Sequence, residues 1–176
     1  MIILFNKPFG VISQFSHHDT HPTLKKFINI PNIYPAGRLD TDSEGLMILT
    51  DDGKIQHEIS SPNSNKYKGY WVQVEGEINE KALNNLMDGV IIKDYKTKHA
   101  LVNLIDEPKI WERSKPIRFR KNIPTSWINI EIVEGKNRQV RKMTASVGYP
   151  TLRIIRHKID MFFLDDLQPG EYKVLK

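Results

Sequence analysis

Alternation of apolar and polar positions marks the chain as strand-rich. "GYWVQVEG" (69–76) puts Tyr70, Val72 and Val74 on one face of a strand and Trp71, Gln73 and Glu75 on the other. "SWINIEIVEG" (126–135) repeats the pattern with Ile128, Ile130 and Ile132 inward. "LMILT" (46–50) is apolar throughout, as expected of a buried strand, and the "DDG" turn closes it. "IILF" and "GVIS" read as strands around a Lys-Pro-Phe-Gly turn. "GVIIKD", "HALVNLID", "TLRIIRHKIDMFFL" and "EYKVL" supply the other strands. Helical spacing is rarer. "NEKALNNLMDGV" (79–90) has Asn79 as its cap, an apolar stripe of Leu83, Leu86 and Met87, and Gly89 as its stop. "KNRQVRKMTASVG" (136–148) sets Arg138, Arg141, Lys142 and Ala145 opposite Val140, Met143, Thr144 and Val147, and ends at Gly148. "PTLKKFI" predicts a short helix opening at Pro22, and "KIQHEIS" one or two helical turns. Strands dominate and helices are scattered irregularly, which predicts an α+β fold with a mostly antiparallel sheet rather than a doubly wound one.

Composition narrows the class. A chain of 176 residues, 39% apolar and 27% charged, fits one soluble domain spanning 1–176. It has no cysteine, which excludes disulfides, thiolate nucleophiles and cysteine-bound metal centres. No apolar run approaches the ~18 residues of a membrane helix, and no basic segment precedes the short apolar start. The expectation is a cytoplasmic protein without a membrane partner. The net charge of +5 is unevenly spread. Residues 111–158 hold twelve Lys or Arg against three acids, a balance of +9; the remaining 14 cations and 18 acids leave the rest at −4. A cationic stretch of that kind suits a nucleic-acid surface, the plainer reading being a solvated face.

Two regions could carry chemistry. "PIRFRKNIP" sets Phe119 between Arg118 and Arg120, a combination suited to phosphate pairing and base stacking, with Lys121 beside it. The cationic face of the 136–148 helix and its "EGKN" turn extend the same chemistry. "YPAGRLDTDSEGLMILTDDG" (34–53) is the opposite: five carboxylates and one arginine, Arg38, two positions before Asp40. An Asp in such a loop is ordinarily a turn or cap residue. Asp42, Glu44, Asp51 and Asp52 read as turn and surface acids. Held ionised by an arginine, Asp40 could instead act as a nucleophile. His17, His18 and His21 read as solvated loop histidines rather than metal ligands.

"GRLDTDSEGLMILTDDG" resembles the signature of the RsuA/RluB/E/F class of pseudouridine synthases, whose Gly-Arg-Leu-Asp aspartate is catalytic. Three more blocks follow the class in order: "ILFNKPFGVISQF", "KGYWVQVEG" with its Lys-x-Tyr step, and "EGKNRQVRKM" followed by "PTLRIIR". Together they span essentially the whole chain. Lys142 stands where the class usually has arginine, with charge kept. "PIRFRKNIPTSW" is most similar to the RluE-type branch, which isomerises one uridine of large-subunit (23S) ribosomal RNA.

The resemblance implies a mostly antiparallel mixed sheet with flanking helices and a cleft across it. It implies a single catalytic domain without the N-terminal S4 domain of many relatives, and a monomer. Asp40 would attack the target uridine, at C1′ of the ribose or C6 of the base. Arg141 would pair with Asp40, and Tyr70 would stack on the base and assist loss of the C5 proton. Arg38 would hold the flipped nucleotide out, and Leu152 would wall the base. Lys68, Arg118, Arg120, Lys121, Lys136, Arg138 and Lys142 would contact RNA. No metal, nucleotide or redox cofactor is implied. Three rivals share parts of this pattern: a non-catalytic RNA-binding or ribosome-assembly module, a synthase acting on another RNA, and a nucleoside or glycoside hydrolase. A metal-dependent nuclease fits poorly, because the acids cluster in one turn.

Overall fold

The computed structural model describes residues 1–175. In chain order its regular elements are β1 (Ile2–Lys7), β2 (Tyr34–Pro35), β3 (Glu44–Thr50), α1 (Gly53–Ser60), β4 (Lys68–Glu75), α2 (Glu80–Asp88), β5 (Ile91–Ile92), β6 (Tyr95–Lys96), β7 (Leu101–Ile105), β8 (Thr125–Ile132), α3 (Gln139–Ser146), β9 (Thr151–Ile159), β10 (Phe162–Phe163) and β11 (Tyr172–Leu175). The class is α+β, as the pattern predicts. The chain divides into two compact units, one made of Met1–Ser64 with Arg156 onward, the other of Asn65–Ile155.

In the first unit β1 lies between β11 and β3, antiparallel to both, with Phe5 opposite Tyr172 and Met47. All seven residues of β3 are buried, so its continuous apolar run has the expected cause. Ile3, Phe5, Leu24, Ile28, Met47 and Leu49 are among the side chains of one core cluster. The short β2 pairs antiparallel with the end of β3. Asp52 caps α1, its carboxylate accepting from the amides of Lys54 and Ile55 at 2.8 and 3.3 Å.

In the second unit β8 pairs antiparallel with β4 and β7, in a register running from Lys68–Ile132 to Glu75–Thr125 on the β4 side. The inward residues are those the alternation predicts: Tyr70, Val72, Val74, Ile128, Ile130 and Ile132 are buried together. α2 adds Ala82 and Leu86 to this core, and α3 adds Val140 and Met143. Asn79 caps α2 by accepting from the Ala82 amide at 2.9 Å. Gly89 follows at φ +106, where an added Cβ would lie 2.2 Å from the Thr97 carbonyl oxygen.

Four predicted elements differ. "GVIS" is not a strand; it makes one isolated bridge, Ile12 to Thr23. Its donors go elsewhere, Gly10 N to Thr41 O and Ile12 N to Pro22 O. "PTLKKFI" contracts to a single 3-10 turn, Leu24–Lys26, because the Leu24 amide is claimed by Gln14 O and seven residues are too few to nucleate a helix alone. "GVIIKD" becomes half of a two-stranded hairpin, β5 with β6. "TLRIIRHKIDMFFL" breaks at Asp160, whose φ of 53 reverses the chain into the β9–β10 hairpin.

Candidate active site

The 37–46 loop is gripped at its backbone from several directions, all within the first unit. Ser13 holds Leu39 at both ends: its hydroxyl donates to Leu39 O at 2.5 Å and accepts from Leu39 N at 3.1 Å. Asp40 O accepts from Ser43 N at 3.0 Å, closing a turn directly after the aspartate. The Lys7 ammonium donates to the carbonyls of Val11 (2.7 Å), Pro8 (2.8 Å) and Thr41 (3.4 Å). Arg156, on β9, donates from Nε to Leu46 O at 2.9 Å and from Nη1 to Arg38 O at 3.4 Å. Gly45 approaches the same strand so closely that a Cβ would lie 2.3 Å from Arg156 O. The outcome is a half-buried Asp40 carboxyl on a fixed backbone, with the Arg38 side chain exposed two residues earlier.

The local field is unusual. Lys7 is fully buried, and burial pushes its pKa down to about 7 against the opposing pull of the Glu44, Asp42 and Asp40 carboxylates, with Arg156 pushing further down. The surface-acid reading holds for the exposed Asp51 and Asp52 and fails for Glu44. Glu44 is buried at the start of β3, where the Lys7 charge offsets its desolvation. Asp52 is a helix cap, and Asp51 pairs with the Met1 amino group at 2.7 Å.

In the second unit Tyr70 is buried on β4 opposite Ile130. Leu152 is buried on β9, its carbonyl accepting from Arg113 at 3.2 Å. α3 presents its cationic face as predicted: Arg141 and Lys142 are half-buried, while Val140, Met143 and Thr144 are buried behind them. Arg138 is the N-cap residue, held at φ 53 and ψ 35, a left-handed conformation uncommon outside glycine and enriched at functional sites. The loop before it is organised by Glu134, whose carboxylate accepts from the Tyr95 hydroxyl, from Lys98 N at 2.9 Å and from Gln139 Nε2 at 3.1 Å. The Lys136 ammonium lies 3.9 Å from the centre of the Tyr95 ring. Lys68 reaches the Glu134 carbonyl at 3.5 Å.

These cations form two groups rather than one. Lys68, Lys136, Arg138, Arg141 and Lys142 gather at the start of β4 and around α3. Arg118 and Arg120 sit at the other end of β4, paired with Glu75 at 3.0 and 3.4 Å. At ~3.3 Å per residue, the two ends of that eight-residue strand are about 23 Å apart. Lys121 and Phe119 are exposed nearby in sequence. The whole 111–158 stretch is not a surface, however. Arg153 and Arg156 are 8% and 6% exposed and bond to carbonyls, Arg153 to Trp111 O at 3.0 Å.

Lys7, Ser13 and Arg156 are the residues that sequence reasoning misses. Lys7 carried the one available signal, a cation placed two residues after the apolar run 1–5. The loop histidines fold onto themselves, His18 Nδ1 accepting from the amides of Thr20 and His21 at 3.3 and 3.2 Å. Among the described residues no cluster of three or more His, Cys, Asp or Glu could hold a metal. No helix among them is long and apolar enough to cross a membrane.

Comparison with known proteins bears on this geometry. A family model described as RNA pseudouridylate synthase matches residues 1–146. The ribosomal large subunit pseudouridine synthase E of Vibrio parahaemolyticus is 51% identical over 175 residues, covering 99% of this chain and 74% of the relative. That of Xanthomonas campestris is 49% identical over 177 residues, covering 99% and 95%. A crystal structure of a pseudouridylate synthase superposes with a TM-score of 0.82 at 29% identity, covering 99% of this chain and 70% of that one.

Proposed function

The chain belongs to the RNA pseudouridylate synthase family, and from that premise we propose that it converts one uridine of large-subunit (23S) ribosomal RNA to pseudouridine, with Asp40 as the nucleophile. The observation that carries the assignment of Asp40 is its fixed backbone. Ser13, Lys7 and Arg156 brace residues 38, 39, 41 and 46 around it. A turn or cap aspartate needs no such bracing, whereas a nucleophile gains from being held in one geometry. The large-subunit target is supported by the names of the two bacterial relatives and their extent of match.

The chemistry follows from the residue types. A stacked uridine cannot reach a carboxylate, so the nucleotide must flip out, which costs a few kcal/mol. Phosphate contacts from Lys68, Lys136, Arg138 and Lys142 would offset that cost, with Arg118, Arg120 and Lys121 engaging more distant backbone. The N-terminal end of α3 adds a favourable dipole beside Lys136 and Arg138. Arg38, exposed next to Asp40, would hold the extruded nucleotide. Asp40 then attacks C1′ or C6. The glycosidic C1′–N1 bond breaks, the uracil turns, C5 bonds to C1′, and the bond to Asp40 breaks to restore its carboxylate. C5 gives up its proton and N1 gains one, so the product is an isomer of the substrate. Arg141 would keep Asp40 ionised. The Tyr70 ring would stack on the base and its hydroxyl assist removal of the C5 proton, with Leu152 as an apolar wall. The reaction needs no cofactor, since nothing is oxidised and no group is transferred away. The reading further takes the chain as one catalytic domain, monomeric and cytoplasmic.

The test is tritium release from RNA labelled at uracil C5. Unmodified 23S fragments should release tritium with the wild type and none with Asp40→Asn, while Asp40→Asn still binds RNA. Tight binding with no release from any fragment would favour the binding-module reading. Free uracil among the products would favour a hydrolase.

A further inference from the structure

The first unit contains a cavity of about 1190 Å³ that begins at Gly37 and Arg38, two residues short of Asp40. We infer that this cavity holds the unpaired ribonucleotides adjoining the target uridine in the RNA strand. The inference deepens the function proposed above and rests on it, since it needs an RNA substrate presented to Asp40.

Four observations point to that ligand. The first is size. Small-molecule sites run to about 300–1,000 Å³, and this cavity exceeds them, as a groove for a length of chain should. The second is charge. Lys25 and Arg38 line it, and no Asp or Glu does, although the loop that follows carries Asp40, Asp42 and Glu44. Its charge suits phosphates. The third is an aromatic platform. Tyr34, on the short strand β2, is 56% exposed, so its ring is open to a stacking partner. Single-stranded RNA is bound through such rings because every base has a π-face. The fourth is the amide set. Asn29 and Asn32 are exposed on the cavity lining and form no side-chain hydrogen bond with the described residues. Amide side chains can donate to and accept from the Watson–Crick edges of unstacked bases.

The groove also has a direction. Gly37 and Arg38 lie at the end near Asp40, whereas Tyr34 pairs with Thr50 at the other end of β3, roughly 20 Å along the strand from Glu44. On this account Tyr34 is a substrate-binding residue whose ring meets a base a few nucleotides along the strand from the target. Specificity for one uridine then arises partly from which bases the cavity accepts.

The experiment uses the full chain. Binding of fluorescein-labelled hexauridylate is measured for wild type, Tyr34→Ala, Tyr34→Phe and Asn29→Ala. Tyr34→Ala should weaken binding about tenfold, and Tyr34→Phe, which keeps the ring, by less than about twofold. Asn29→Ala should weaken it by a smaller factor than Tyr34→Ala. Because Tyr34 is exposed, both its variants should fold, and unchanged thermal unfolding verifies this. On the 23S fragment that releases tritium, abasic sites are then placed one at a time at each of the nearest several positions on either side of the target. Wild type should show a raised KM at one or two of these positions, with kcat retained. Tyr34→Ala should already carry that raised KM and be indifferent to the same abasic sites. Wild-type binding by Tyr34→Ala, or losses that multiply between variant and abasic site, would overturn the inference. Absence of tritium release with hexauridylate binding still dependent on Tyr34 would instead sink the synthase reading and leave the cavity as a single-stranded RNA site.

Discussion

Lys7 donates to three carbonyls, the full donor capacity of an ammonium, from a position with no solvent exposure. Burial lowers its pKa from 10.5 to about 7, so near neutrality the group is poised between charged and neutral forms. The consequence for stability has a definite sign. Between pH 7 and 10.5 the unfolded chain keeps the proton and the folded chain sheds it, so stability from this group rises with pH across that window. Below pH 7 both states are protonated and the burial penalty is present in full. Lys7→Met should remove the rise: thermal unfolding from pH 7 to 10 should climb in the wild type relative to the variant. Parallel pH profiles for the two proteins would show that Lys7 keeps its ordinary pKa. Gly45 is the other single residue on which the loop turns. At φ +111, with Arg156 backbone atoms 2.3–3.0 Å from a built Cβ, it cannot accept a side chain unless β9 moves. Gly45→Ala should destabilise by at least about 2 kcal/mol, a fall in Tm of roughly 4–8 °C, and should lower tritium release more than RNA binding.

Glu134 acts on a whole element, the 135–138 loop leading into α3. It faces the Tyr95 hydroxyl, the Lys98 amide and the Gln139 side-chain amide, and Gln139 Oε1 in turn accepts from Lys136 N at 3.2 Å. Removing the carboxylate strands the buried Gln139 side-chain amide, at about 1–3 kcal/mol, and takes the acceptor from the part-buried Tyr95 hydroxyl and Lys98 amide bonds as well. Glu134→Ala should therefore lower the urea midpoint well beyond Glu134→Gln, which keeps one acceptor, and should weaken RNA binding because Lys136 and Arg138 lose their setting. Equal midpoints for the two variants would count against this role. The same element illustrates what sequence can and cannot convey. The two faces of α3, the Asn79 cap of α2 and the inward faces of β4 and β8 were legible, because each depends on spacing within one segment. Asp40 was marked as a candidate by its neighbours in "GRLD". The grip on its loop was not legible. Lys7, Ser13 and Arg156 act on carbonyls 34, 26 and 118 residues away in the chain, and no local periodicity encodes such a pairing. "GVIS" failed as a strand for a related reason: its amides bond to Thr41 and Pro22, partners that only the tertiary fold supplies.

The +9 stretch contains less available charge than its count implies, because Arg153 and Arg156 are buried structural bonds. Among the cations expected to contact RNA, Lys68, Lys136, Arg138 and Lys142 lie at the start of β4 and around α3, and Arg118 and Arg120 at the other end of β4. Arg118 and Arg120 are about half exposed, whereas the Glu75 carboxylate they share is only 12% exposed, so removing both partners from it would leave a largely buried charge. A phosphate would therefore bind the exposed sides of the guanidinium groups with Glu75 still in place, and both arginines should count toward RNA binding. If about five phosphates of single-stranded substrate are engaged, log affinity should fall with log salt at a slope near −3.5. Arg118→Ala with Arg120→Ala should flatten that slope by about 1.4, as should Lys136→Ala with Arg138→Ala. Because the two pairs are about 23 Å apart along the strand, their losses should add within roughly 0.5 kcal/mol. Additive losses would mean one RNA backbone contacting both ends of β4 at once. Losses confined to the Lys136 and Arg138 pair would restrict the contact to the α3 end, and a slope near zero would remove the electrostatic basis for RNA binding altogether.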